Sequence, residues 1–265
     1  FLPRRGAVQT SLFARVISAV DASHYLLTPS AVVTPNGVGE VADIFRFAIS
    51  SGHAVTFRSG GTSLSGQAST ANILVDTRSQ FRRIDVEDGG ATARVQPGAT
   101  VRQVNTRLAR HARKLGPDPA SEVACTIGGV VANNSSGMAC GTAHNTYNTL
   151  RSIVVVLPSG TIVDTALDDA DERLRAAEPE LCATLLGLRE HILSSPLLRA
   201  EIERQFAIKN TMGYSINALV DYATPAQILA HLMVGSEGTL GFVAEATFNT
   251  VPLLPQAATT LLDFE

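Results

Sequence analysis

The sequence predicts an α+β fold built from two unlike parts. Three observations carry that expectation. Residues 30–80 alternate short apolar strands with one helix, the pattern of a small parallel layer. Residues 81–163 carry two hairpin signals and residues 170–206 are mostly helical, which reads as a larger antiparallel sheet with helices. The glycines also cluster rather than scatter, and clustered glycine marks backbone that runs close to something.

Residues 11–20 (SLFARVISAV) read as a short helix. Residues 31–34 (AVVT) look extended and stop at Pro35. From 38 to 50, Val41, Ile44, Phe45 and Ala48 recur at helical spacing, and Gly52 ends the run as a C-cap glycine. Residues 54–57 and 73–75 read as short buried strands. Strands at 82–86 and 92–95 are separated by Asp88-Gly89-Gly90, and a helix is expected over 100–111. Strands at 152–157 and 161–163 flank Pro158-Ser159-Gly160. The helical stretch 170–206 breaks near Ser194-Ser195-Pro196, and 241–250 reads as a closing strand of alternating character. The expected division is 1–80 and 81–255, with 256–265 opening a further domain.

Composition narrows the classes. A chain of 265 residues that is 45% hydrophobic can bury a sizeable core. Net charge is −3 and no Lys/Arg block occurs, which argues against a nucleic-acid partner. Cys125, Cys140 and Cys182 are odd in number and form no CxxC pair. That argues against a disulfide framework or a cysteine zinc site and fits a reducing compartment. No apolar run approaches the roughly 18 residues of a membrane span. The first residues, FLPRRGAVQT, lack a long apolar core and a starting Met, so they read as no signal peptide and as a trimmed end. The expected location is cytoplasmic, with a peripheral seat at the inner membrane left open.

Three glycine-rich clusters stand out. The first is Arg58, Ser59, Gly60, Gly61, Thr62, Ser63, Leu64, Ser65 and Gly66, followed by Gln67. A Gly/Ser/Thr loop leaving a strand can turn several backbone N–H groups toward one point, a cradle for phosphate or pyrophosphate. No Gly-Lys-Ser/Thr occurs, so it is not a Walker loop. Upstream, Gly37-Val38-Gly39-Glu40-Val41-Ala42 formally matches a G-x-G-x-x-A fingerprint. Pro35-Asn36 precedes it and Arg occupies position 58, where an acidic residue would be needed, so it reads as a helix start.

The second cluster spans 116–142. Pro117 and Pro119 stiffen its beginning, around Asp118 and Ala120. Ser121 and Thr126 offer hydroxyls, and Gly128 and Gly129 let backbone lie close to a flat ligand. Asn133, Asn134, Ser135 and Ser136 bring short polar side chains near Gly137 and Gly141. Without a partner such a stretch would leave backbone groups poorly satisfied. The third cluster, Gly235-Ser236-Glu237-Gly238-Thr239-Leu240-Gly241, runs into the closing strand at Phe242 and Val243. Alone it reads equally well as a simple turn.

In this order and spacing, RSGGTSLSG, PGAT with Pro97 and Gly98, PDPAS with TIGGVVANNSSG, and GSEGTLGF resemble the PCMH-type FAD-binding domain of the vanillyl-alcohol oxidase family. The resemblance covers residues from about 29 to 252. The nearest branch is that of the D-lactate, glycolate and D-2-hydroxyglutarate dehydrogenases. NNSSGMACGTAHNTYNTL and KNTMGYSINALVDY look most like its bacterial members, some of which carry an iron–sulfur domain.

The resemblance implies two subdomains holding FAD between them, followed by a substrate (cap) domain. It implies that residues 59–63 bind the pyrophosphate through N–H groups. Residues 117–121, Thr126, Gly128, Gly129, Asn133, Asn134 and Gly137 would line the flavin and ribityl chain, and Gly241, Phe242 and Val243 the adenine end. Covalent members often place His where this chain has Thr62, so FAD is expected to be non-covalent. Cys140 and His144 lie near the second cluster and are read as packing residues rather than attachment points.

The substrate implied is a small 2-hydroxy acid. The electron acceptor would be a quinone, cytochrome or iron–sulfur domain outside this chain. No catalytic residue is assigned. None of His24, His53, His111, His144, His191 and His231 has metal-ligand spacing, and no GxSxG elbow exists. Lys209 and Asn210, before the Met212-Gly213-Tyr214 turn, read as a surface loop, with the flavin or the following domain as the alternatives they would face. The competing readings are an NADPH-dependent cell-wall precursor reductase on the same domain and a non-catalytic nucleotide-binding module. KNTMGY and GSEGTLG argue against the reductase.

Overall fold

The computed structural model describes residues 8–254, 256, 258 and 260–264. Residues 1–7, and 257, 259 and 265 of the expected further segment, lie outside the described residues.

The first part is a four-stranded sheet. Its elements are β1 (Val8–Gln9), α1 (Leu12–Ile17), β2 (Ala31–Val33), α2 (Val38–Ser51), β3 (Val55–Arg58) and β4 (Ile73–Asp76). The order is β1-β2-β4-β3, with β2 and β3 parallel to β4 and β1 antiparallel at the edge. Ser11 starts α1 by accepting the Ala14 N–H at 3.3 Å. Helix α2 buries Val41, Ile44 and Ala48 of the expected stripe, adds Ala42, leaves Phe45 half-buried, and ends at Gly52 with φ 68°.

The second part continues with β5 (Ile84–Glu87), β6 (Thr92–Val95), α3 (Val101–Leu108), β7 (Arg113–Lys114), α4 (Ile127–Ala132), α5 (Thr146–Thr149), β8 (Leu150–Val156) and β9 (Ile162–Asp164). The helices α6 (Ala170–Ala177), α7 (Pro179–Ser194), α8 (Pro196–Phe206), α9 (Ala218–Asp221) and α10 (Pro225–Leu232) precede β10 (Phe242–Asn249) and β11 (Val251–Pro252). The main sheet is antiparallel in the order β5-β6-β10-β8-β9, and β11 pairs with β7. The closing strand is therefore central. Its burial is nearly continuous, and the Glu245 it carries is held between Arg83 and Arg94. A buried carboxylate needs such partners to stay ionised.

The two sheets meet through phenylalanines. The Phe57 ring stacks on Phe242 with centroids 4.8 Å apart, and Phe81 sets its edge against Phe242 at 5.3 Å. Val41 and Ala42 of α2 pack into the same cluster as Val156 and Ala244. This junction fixes how the loops at the ends of the two sheets face one another.

Short helices are what periodicity overlooks. Helix α10 begins at a favourable Pro225, buries Ala226, Ile228, Leu229, Ala230 and His231 and exposes Gln227, but eight residues are too few for the period to stand out. Helix α4 lies inside the second glycine cluster, expected as loop, and has six residues. The helical stretch also breaks at Glu178–Pro179, a place where proline restarts a helix.

Helix α10 buries His231 at 4% exposure, stacked on Tyr222 with centroids 3.9 Å apart. Burial pushes its imidazole below the ordinary value, against a smaller opposing effect of the Gln227 carbonyl. The unfolded chain therefore takes up a proton on acidification through pH ~6.5, while the native state does so only at lower pH. His231→Gln should flatten the acid-side loss of stability just below pH ~6.5, by up to about 1.4 kcal/mol per pH unit. Urea unfolding across that range checks it, and an unchanged slope would count against a neutral native His231.

Among the described residues no helix is long and apolar enough to cross a membrane, and no His/Cys/Asp/Glu group could hold a metal ion.

Candidate functional site

The site is built where β3 and β4 end and the second glycine cluster meets them. Arg58, the last residue of β3, turns back into protein. Its guanidinium donates to the Ala68 carbonyl at 2.9 and 2.7 Å and to those of Ser18 at 2.8 Å and Val20 at 3.2 Å. It pins the loop to residues 18–20 rather than reaching outward.

The next residues lock three segments together. Ser59 Oγ donates to the Pro97 carbonyl at 2.7 Å, and Thr126 Oγ1 donates to Ser59 Oγ at 2.5 Å. Thr126 Oγ1 also accepts the Gly60 N–H at 2.8 Å. A Cβ on Gly60 would lie 2.9 Å from the Ala124 carbonyl oxygen, and one on Gly128 would lie 2.7 Å from Pro97 Cβ. The glycines at these places allow backbone to approach backbone.

Beyond Gly60 the loop keeps donors in reserve. The N–H groups of Gly61, Thr62 and Ser63 find no acceptor among the described residues. Thr126 is spent on Gly60 and gives helix α4 no side-chain cap. A Cβ on Gly129 would meet nothing within 4 Å.

The third cluster closes the far side. Glu237 donates its N–H to the Ala132 carbonyl at 2.8 Å and accepts from Asn133 Nδ2 at 2.9 Å. Its φ of 52° is unusual for a residue with a side chain. Desolvation pushes its carboxyl above the ordinary range, and the Asn133 bond opposes that. Tyr214 and Thr239 share a hydroxyl hydrogen bond of 2.7 Å, tying the 207–216 segment to this cluster.

Together they enclose a cavity of about 520 Å³, within the range of cofactor pockets. Its wall includes Ser59, Gly60, Gly61, Thr62, Ser63, Leu64 and Gln67 from the first cluster and Pro97 beside them. The second cluster contributes Pro119, Ala120, Ser121, Thr126, Gly128, Gly129, Asn133, Asn134, Ser136 and Gly137. The third contributes Glu237, Gly238, Gly241, Phe242 and Val243.

Five anticipated contacts are not in that wall: Arg58, Gly98, Pro117, Asp118 and Gly141. Arg58 is turned inward as described. A Cβ on Gly98 would lie 2.7 Å from the Phe81 and Thr77 carbonyl oxygens, so its place is against backbone. Pro117 is buried. Asp118 braces Gly137 from behind, its Oδ2 accepting the Ala139 N–H at 3.1 Å. Gly141 is exposed beyond the cluster. Cys140 and His144 also lie outside the wall.

Phe57, Thr77, Cys125, Met233 and Thr211 line the cavity without having been anticipated. Phe57 and Thr77 sit where parallel strands end, the side of such a sheet where ligands bind; that signal was available. Lys209, left open by the sequence, is in the wall. The Cys125 thiol is pushed up by burial, which disfavours the reactive thiolate.

A cavity between two sheets, walled by glycine, serine and threonine backbone with unused N–H groups, defines a binding domain for a phosphate-bearing cofactor. The chain belongs to the FAD binding domain family, whose match spans residues 29–166, just over half its length. The unaccepted N–H run and the bare Gly129 fit FAD, one offering donors to a pyrophosphate and the other open room.

A D-2-hydroxyglutarate dehydrogenase of Haemophilus influenzae is 28% identical over 97% of this chain and 26% of its own length. A D-lactate dehydrogenase of Archaeoglobus fulgidus is 27% identical over 88% of this chain and 41% of its own. The chain thus spans about a quarter of the length of the first of these relatives. Among solved structures, an alkyldihydroxyacetonephosphate synthase aligns over 97% of this chain and 39% of its own, with TM-score 0.62 at 19% identity, a likeness of fold.

Thr126→Val should weaken FAD binding roughly tenfold, because it strands the Gly60 N–H and loosens Ser59 at a cost of about 1–3 kcal/mol. Fluorescence titration with FAD checks this; undiminished affinity would remove Thr126 from the framework of the cradle.

Proposed function

We propose that this chain is the FAD-binding part of a dehydrogenase that oxidises a D-2-hydroxy acid, with FAD held non-covalently. The observation that carries the cofactor assignment is the run of unaccepted N–H groups at Gly61, Thr62 and Ser63 in the cavity wall. The substrate class rests on the relatives named D-2-hydroxyglutarate and D-lactate dehydrogenase.

In this reading residues 59–63 hold the pyrophosphate, and each charge-assisted N–H bond contributes about 1.5–3 kcal/mol. The walls of the second and third clusters orient the rest of the molecule. Bound FAD supplies the hydride acceptor that hydroxy acid oxidation requires. The parts 1–80 and 81–255 act as the two cofactor-binding subdomains. Substrate-binding and proton-accepting groups belong to a domain that 256–265 would open. The acceptor of the electrons is a quinone, cytochrome or iron–sulfur domain outside this chain. Thr62 offers only an alkyl hydroxyl, a far weaker nucleophile than an imidazole or a thiolate, which supports the non-covalent reading.

Reconstitution tests this directly. The purified chain should take up FAD with a flavin absorption spectrum, release all of it on acid precipitation, and show no oxidation of D-lactate or D-2-hydroxyglutarate alone. A colourless protein after reconstitution would sink the FAD reading. Flavin that stays with the precipitate would sink the non-covalent one, and turnover by these residues alone would sink the division of labour. In the complete protein, bleaching of the flavin by NADPH rather than by D-2-hydroxy acids would favour the reductase alternative.

A further inference from the structure

The wall of the cavity carries one basic and one acidic side chain, Lys209 and Glu237. Their surroundings differ. Glu237 is partly buried and hydrogen-bonded by Asn133 at 2.9 Å. The Lys209 ammonium donates to the Gly137 carbonyl at 2.6 Å, and among the described residues no carboxylate pairs with it. An ammonium has three donors, so one bond to a carbonyl leaves two for something else.

The position of this cation is set by a framework. Gly137 bridges to Asp118, whose N–H donates to the neighbouring Ser136 carbonyl at 2.8 Å, and this places the Gly137 carbonyl that Lys209 meets on the second-cluster side of the cavity. Tyr214 ties the far end of the lysine's segment to Thr239. The unaccepted N–H groups lie elsewhere: Gly61 is joined to Ala22 through its carbonyl, and Ser63 shares a hydrogen bond with Gln67. Neither of these partners touches Lys209 or Gly137. The cavity thus offers two kinds of group suited to negative charge, backbone donors on the first cluster and a single cation bonded to Gly137 of the second.

A pyrophosphate carries its charge at all times. A flavin ring gains charge only on reduction, when two electrons and one proton enter and one net negative charge remains. We infer that Lys209 is the group that meets this second charge: it is a positioning residue that raises the reduction potential of the bound flavin. The inference rests on the FAD reading above, with the ring beside Gly137. A cation near the ring stabilises the reduced form more than the oxidised one, which is one of the means by which protein tunes a flavin.

The test uses the 265-residue chain reconstituted with FAD and titrated with dithionite against a reference dye. Lys209→Met should lower the potential by about 30 mV, a tenfold weaker hold on the two-electron-reduced form relative to the oxidised. Lys209→Gln should do the same, and Lys209→Arg should keep most of the wild-type potential. Binding of ADP, which has the diphosphate and no ring, should be unchanged in all three. An unaltered potential in Lys209→Met and Lys209→Gln would overturn the inference. So would an equal loss of ADP and FAD affinity, which would assign Lys209 to phosphate. Failure of the wild-type chain to bind FAD would instead overturn the reading on which the inference rests.

Discussion

Phe242→Ala is expected to cost about 3–5 kcal/mol of stability, the range for emptying a buried aromatic site. Phe242 is 5% exposed and opens β10, the central strand of the larger sheet. Its ring meets Phe57 of the smaller sheet at 4.8 Å and Phe81 at 5.3 Å. Aromatic pairs of this kind add roughly 0.5–1.5 kcal/mol each beyond the area they bury. The same residue lines the cavity, so the void opens at the seam that aligns the two sheets. FAD affinity should fall along with the unfolding midpoint. Phe242→Leu keeps most of the volume and should cost less than the alanine variant, because it leaves a smaller void. Urea denaturation of the three proteins decides. A loss below about 1 kcal/mol for alanine would mean that the seam is held elsewhere.

Gly137→Ala comes second, for a different reason. Gly137 has φ +91°, and a Cβ there would lie 2.2 Å from the Asp118 carbonyl oxygen. Left-handed backbone costs a residue with a side chain roughly 1–2 kcal/mol, and overpacking adds about 1–3. The sum is about 3 kcal/mol, taken mostly from the bridge between residues 118 and 137. That bridge shapes one wall of the cavity, so FAD affinity should fall at least tenfold. Gly141→Ala is the control. It has φ +57° but nothing within 4 Å of its Cβ position, and it lies outside the wall. It should cost no more than the backbone strain and leave FAD binding unchanged. Equal effects of the two substitutions would refute the close approach at Gly137.

Some of this was legible in the residues. The α2 stripe and its glycine cap appear directly in the periodicity, because local packing and local backbone conformation decide them. The glycine clusters announce a ligand because runs of Gly, Ser and Thr between strands have few other uses. Helix α10 was not legible, since its eight residues make little more than two turns, too short a window for a helical period to stand out. Nor was the inward turn of Arg58. Its partners, at residues 18, 20 and 68, are carbonyls, and a carbonyl looks the same in any sequence.

By itself, then, the sequence determined an α+β chain with a parallel part, an antiparallel part and glycine-rich loops suited to a phosphate-bearing ligand, and the resemblance those loops carry made that ligand FAD. These are properties of segments, written in the order of neighbouring residues. Only the tertiary structure decided which groups in those loops face the cavity. Arg58, Gly98, Pro117 and Asp118 belong to the framework and Gly141 to the exposed surface, while Phe57, Thr77 and Lys209 belong to the wall. The physical reason is that a side chain's direction depends on contacts between distant segments. The Phe57–Phe242 seam and the Ser59–Thr126 hydroxyl bond set those contacts, and both join residues far apart in the chain.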